Sequence, residues 1–138
     1  MEGTIGEVRL FAGPLDAATN KVPRGWKVCD GALLQIEGNI VLYAVLGTTY
    51  GGDGIKTFSL PDLRGRVAVG SGTAEGRPGY ALAQPAGAEQ VPTQPVAVST
   101  GGTGTAVSSV AAATGNNVQP VLALNYIICV VGEFPQAT

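Results

Sequence analysis

Residues 47–66 read GTTYGGDGIKTFSLPDLRGR, and the fold turns on this stretch. Gly47, Gly51, Gly52 and Gly54 crowd in before Pro61, with Tyr50 and Phe58 flanking the run. Glycines at this density imply backbone turns that a side chain would forbid. Phe58 and Leu60 alternate with Thr57 and Ser59, the pattern of a short half-buried strand. Pro61 ends that strand because it offers no amide to a ladder. Asp62 and Arg64 stand two apart, on one face of an extended chain, and can pair across a turn. Such a stretch is built to hold an irregular backbone still.

GGDGIKT also invites comparison with a phosphate cradle, and the comparison fails. The P-loop pattern needs glycine directly before Lys-Thr and another five positions earlier, where Ile55 and Tyr50 stand. Gly70-Ser71-Gly72 likewise lacks the third glycine of a dinucleotide loop, since Glu75 takes its place. Nucleotide binding is therefore not expected.

Immediately upstream, Asn39 is placed to cap a helix over residues 40–46, and Gly47 sits where a left-handed residue ends one. That helix is apolar on most faces, so burial under a sheet is expected. Further upstream, Glu7 to Ala12 alternates as an opening strand with Val8 and Leu10 on one face. Residues 25–31 read as a second strand, ending in the Asp30-Gly31 turn signal, with Ala32-Leu33-Leu34 as its expected partner. Trp26, the single tryptophan, is expected to be a core anchor.

Downstream, Arg66 to Gly70 reads as a strand leaving the central stretch, and Gly70 to Gly79 as a glycine-rich loop. Three prolines between Pro85 and Pro95 favour extended, edge-like backbone. Gly101 to Gly104 reads as a loop tip, residues 106–114 as strand or disorder, and Gly115-Asn116-Asn117 as a turn. Residues 122–131, LALNYIICVV, form the strongest strand pattern, and their unbroken apolarity implies burial on both faces.

The 138 residues suit one domain, 1–138: a core over 7–80, an uncharged extended or loop segment over 81–117 and a closing strand over 118–138. A net charge of −2 argues against nucleic-acid binding, and no apolar run is long enough to insert in a membrane. The start of the chain, with Glu2 and Glu7, does not read as a signal peptide, so cytoplasmic synthesis is expected. Histidine is absent, which removes the commonest general base and metal ligand, so neither a cofactor nor a metal is expected. Cys29 and Cys129 leave two readings: a bond closing a loop of about 100 residues, worth up to ~4.7 kcal/mol, or two buried thiols on neighbouring strands. Every lysine and arginine lies at or before Arg77, and no Asp, Glu, Lys or Arg falls between Glu89 and Glu133. An uncharged stretch of that length is either loop or a surface covered by other copies of the chain.

GEVRLFAG (6–13), PRGWKVCDG (23–31), LGTTYGGDG with TFSLPDLRGR (46–66) and NVQPVLALNYIICVVGEFP (117–135), in this order, resemble the phage tail collar family. The resemblance covers most of the chain and is poor from Gly76 to Thr114. It implies a mainly β, glycine-rich fold with one short helix (α+β), intertwined as an oligomer. Its structural motif maps onto Trp26, Cys29, Asp30, Gly31, Gly51, Gly52, Asp53, Gly54, Pro61, Asp62, Leu63, Arg64, Gly65, Arg66 and Asn125. Many family members carry a histidine pair that holds a metal on the trimer axis. Residues 91–96 read VPTQPV instead, so that site does not carry over.

The resemblance implies a non-enzymatic structural part of a phage tail or tail-like injection particle. Its partners would be two further copies in a homotrimer, other tail or baseplate proteins, and a host-surface glycan. Thr100, Thr103, Thr105, Asn116 and Asn117 are the candidate surface contacts. The alternative is a free-standing secreted adhesin that binds carbohydrate. An enzyme would need paired carboxylates such as Asp30, Asp53 and Asp62, yet each adjoins glycine or proline in a turn, where Asp caps amides.

Overall fold

The computed structural model describes residues 3–15, 21–92 and 114–137. The chain divides into two compact units, one of Met1–Gln84 with Ala123–Thr138 and the other of Pro85–Leu122. The elements in chain order are β1 (Val8–Phe11), β2 (Trp26–Val28), β3 (Leu33–Gln35), α1 (Ile40–Leu46), β4 (Thr57–Ser59), β5 (Gln90–Pro92), β6 (Thr114–Asn116) and β7 (Asn125–Cys129). The described structure is thus mostly β with one short helix, in small open sheets.

The first unit is built around its last strand. β7 lies between β1 and β2 and is antiparallel to both, with Ile128 beside Val8 on one side and Lys27 on the other. The alternation of a strand then gives each face its own core. Ile128 points into a cluster with Ile5, Cys29, Leu42, Phe58 and Leu60, while Ile127 and Cys129 join Trp26 on the opposite face. Burial on both faces is the physical reason for an unbroken apolar run. The strand itself is shorter than the run, beginning at Asn125, and Leu122 and Leu124 before it are exposed.

β3 and β4 form a separate antiparallel ribbon in which Leu34 opposes Phe58. This corrects the expected hairpin: the segment after Gly31 returns to pair with β4, and β2 takes β7 instead. Asp30-Gly31 carries the chain off the sheet, with Gly31 at φ 75°.

α1 has seven residues, too few to be stable alone, and depends on its contacts. Leu42 is buried in the first cluster and Tyr43 packs its ring 5.5 Å from that of Phe58. Burial of most of its faces is not observed: Leu42 is the buried residue, and Ile40 is 65 % exposed. So short a helix reaches the core with one residue per turn. Asn39 does not cap through its side chain, whose Nδ2 turns back to donate to the Gln35 carbonyl. Gly47 has the expected positive φ, 56°, but its ψ of −143° leaves the left-handed helical region, because the chain turns at once into the glycine loop.

Arg66 to Gly70 is also not a strand: the segment has no ladder partner among the described residues, and Val67 and Val69 are exposed. In the second unit β5 and β6 pair antiparallel, Gln90 opposite Asn116. Gly115 and Asn116 are therefore strand residues rather than a turn. The expectations for residues 93–113 lie outside the described residues.

Candidate functional site

The glycine loop folds around one carboxylate. Asp53 Oδ1 accepts hydrogen bonds from the backbone N–H groups of Ile55, Lys56 and Thr57 at 2.8, 2.8 and 2.9 Å. These three donors hold the Asp53 carboxyl down at about 2. The Gly54 N–H donates to the Thr57 carbonyl and the Tyr43 hydroxyl to the Gly54 carbonyl, which ties the loop to α1. Gly51 accepts from the Ser59 N–H, so the loop lies back over β4. Gly52 has φ 95°, and a Cβ there would collide with the Phe58 backbone. The spacing GGDG is thus a requirement of packing: small backbone against Phe58, with an acidic hub one residue later.

A second set of contacts joins Asp30-Gly31 to Pro61–Arg66. Gly31 N–H donates to the Pro61 carbonyl, Leu63 N–H to the Cys29 carbonyl and Leu60 N–H to the Ala32 carbonyl. Asp30 Oδ1 accepts from the Ala32 N–H. Asp62 is gripped by Arg64 in a two-point ion pair, Nε to Oδ1 at 2.9 Å and Nη2 to Oδ2 at 2.8 Å. Arg64 first, through these side-chain bonds and then its N–H, holds the Asp62 carboxyl at about 2. Both partners remain exposed. Gly65, at φ 66°, turns the chain beyond the pair, and the Arg66 N–H donates to the Leu63 carbonyl.

Trp26 is buried in the second cluster with Arg9 over its ring, 5.0 Å from the centroid, and Arg9 in turn holds Glu7 at 2.7 Å. Asn125 Nδ2 donates to the Gly13 carbonyl, pinning the start of β7 to the turn after β1. Cys29 and Cys129 are free thiols in different clusters on opposite faces of the sheet, which settles the two readings in favour of buried thiols. Burial pushes the Cys29 thiol up to about 12, with the nearby Asp30 charge adding to the effect.

The motif residues therefore fall into a set around the glycine loop, a set at the 29–31/61–66 junction, and Trp26 and Asn125 at the sheet. Thr100, Thr103 and Thr105 lie outside the described residues. Asn116 and Asn117 serve their own unit: Asn116 Oδ1 accepts from the Val118 N–H, and Asn117 Nδ2 donates to the Ala88 carbonyl. Sequence reasoning passed over Tyr43, whose helical position gives no sign of its bond to Gly54. It also passed over Gly3 and Gly132, where a Cβ on Gly132 would strike the Gly3 carbonyl. A shallow depression of about 450 Å³ lies among Val69–Ala74, Arg77, Pro78 and Tyr80 in the segment read as loop. Chemically, the three aspartates act as acceptors for turn amides and one arginine. Among the described residues no group of three or more Cys, Asp or Glu side chains is arranged to hold a metal ion.

The family model described as Phage Tail Collar Domain matches residues 6–68. Over these residues the chain is similar to the phage tail collar domain. The match takes in the first three of the four sequence blocks, the glycine loop and the Asp62–Arg64 turn, and stops short of β7. Within the collar segment, the motif residues form the framework just described. β7, outside it, supplies Ile128 to the same core. No curated protein shows significant similarity to the chain.

Proposed function

We propose that the protein is a structural component of a phage tail or of a tail-like contractile injection particle, placed in a fibre or tail tip. The collar match over residues 6–68 carries this reading. The chemistry of the segment supports it, because its charges are spent on turns: Asp53 on three amides, Asp62 on Arg64. The same use of carboxylates supports a non-catalytic role. The molecule assembles as a homotrimer, contacts other tail or baseplate proteins, and reaches a host-surface glycan from the particle.

Gold-labelled antibody against the protein, applied to purified tail particles, tests the placement. Labelling at one end of intact particles is expected. Protein found only free in the medium contradicts the reading and leaves the secreted adhesin in its place.

A further inference from the structure

We propose that residues 66–70 of one copy add as a strand to the free edge of β1 in a second copy of this chain. The inference rests on the self-assembly reading above and names its contact. Arg66-Val67-Ala68-Val69-Gly70 has the alternation of a strand, yet it pairs with nothing among the described residues. It runs without turn or bend to Ser71, and no backbone N–H or C=O from Val67 to Ser71 has a backbone partner among the described residues. Val67 is 75 % and Val69 64 % exposed. Backbone polar groups and apolar side chains are thus both left open along one short segment, which is the state of a strand awaiting a sheet.

The matching opening lies in the same unit. Among the described residues β1 is at the edge of its sheet, paired with β7 on one side only, so alternate backbone groups face outward. Val8 and Leu10 are 39 % and 58 % exposed. Val8 is in register with Ile128, so an added strand bearing Val67 and Val69 continues the apolar row across Val8 toward the buried core. β1 itself presents no charge on that face: Arg9 points to the other face, bonded to Glu7 and lying over Trp26, and Lys27 lies beyond β7.

From Arg64 to Gln90 every residue but Tyr80 is exposed. A donor and an acceptor at different places on one chain make a contact that can be repeated from copy to copy around a ring.

Cysteine pairing tests the contact. Chains carrying Val8→Cys or Leu10→Cys are unfolded, mixed with differently tagged chains carrying Val67→Cys or Val69→Cys, refolded together and oxidised. Native Cys29 and Cys129 are buried and stay out of the reaction. A disulfide between differently tagged chains is expected in at least one pairing, and none with Ile55→Cys, an exposed position away from both segments. The double variant Val67→Lys/Val69→Lys is expected to run at the mass of one chain while keeping the near-ultraviolet spectrum of Trp26. An oligomer that forms none of the four pairings and survives both lysines overturns the contact and leaves self-assembly standing. A wild-type chain that is monomeric at high concentration overturns both.

Discussion

A methyl group on Gly52 meets the Phe58 backbone while the residue is held at φ 95°, whereas one on Gly38, at φ 87°, meets nothing within 4 Å. The two positions separate backbone strain from collision. Gly38→Ala is expected to cost about 1 kcal/mol and Gly52→Ala about 3 kcal/mol, read from urea unfolding. Equal losses would mean the loop does not lie on β4. Asp53 acts through charge. Its carboxyl sits at about 2 in the folded protein and near 3.9 when unfolded, so the stability it contributes is present above about pH 4. That stability is lost as the pH falls through about 2. Asp53→Ala is accordingly expected to unfold at lower urea than the wild type at pH 7, with the gap closing between pH 4 and 2. A gap that persists at pH 2 contradicts the three-amide hub. Arg64→Ala should lower the melting temperature far less than Gly52→Ala, because the ion pair with Asp62 is exposed.

The element on which the first unit depends is β7, since it alone touches both clusters. Ile128→Ala is expected to cost roughly 2–5 kcal/mol, and Leu10→Ala, on the exposed edge, well under half of that in the unassembled chain. A thiol reagent should leave Cys29 and Cys129 unreacted in the folded protein and find two thiols after unfolding; a shift on a non-reducing gel would contradict their placement on opposite faces. Much of this element was legible in the residues. The apolar run ending at Val131 announced burial on both faces, Gly-Gly-Asp-Gly announced a forced turn, and Asn39 to Gly47 bracketed the helix. Pairing was not legible. Nothing local in Leu33-Leu34 distinguishes β4 from β2 as a partner, because the choice is made by Gly31 and its contact with Pro61 across 30 residues of chain. The apolarity of Ile40 and Val41 suggested burial that one chain does not provide, and the same holds for Val67 and Val69. Under the proposed self-assembly, such exposed apolar residues are the ones expected to be covered by other copies.

At the scale of the molecule, the collar-like segment over residues 6–68 shares its sheet with β7, a strand from the far end of the chain. Between these, Arg64 to Gln90 spreads almost wholly exposed, and no Asp, Glu, Lys or Arg occurs between Glu89 and Glu133. The proposed self-assembly would cover the open apolar side chains of Val67 and Val69. Self-assembly without a metal is therefore the central claim. Sedimentation equilibrium of the purified protein, with and without a chelator, tests it most directly. The mass of three chains is expected in both buffers; the mass of one chain at every concentration tested would contradict the account.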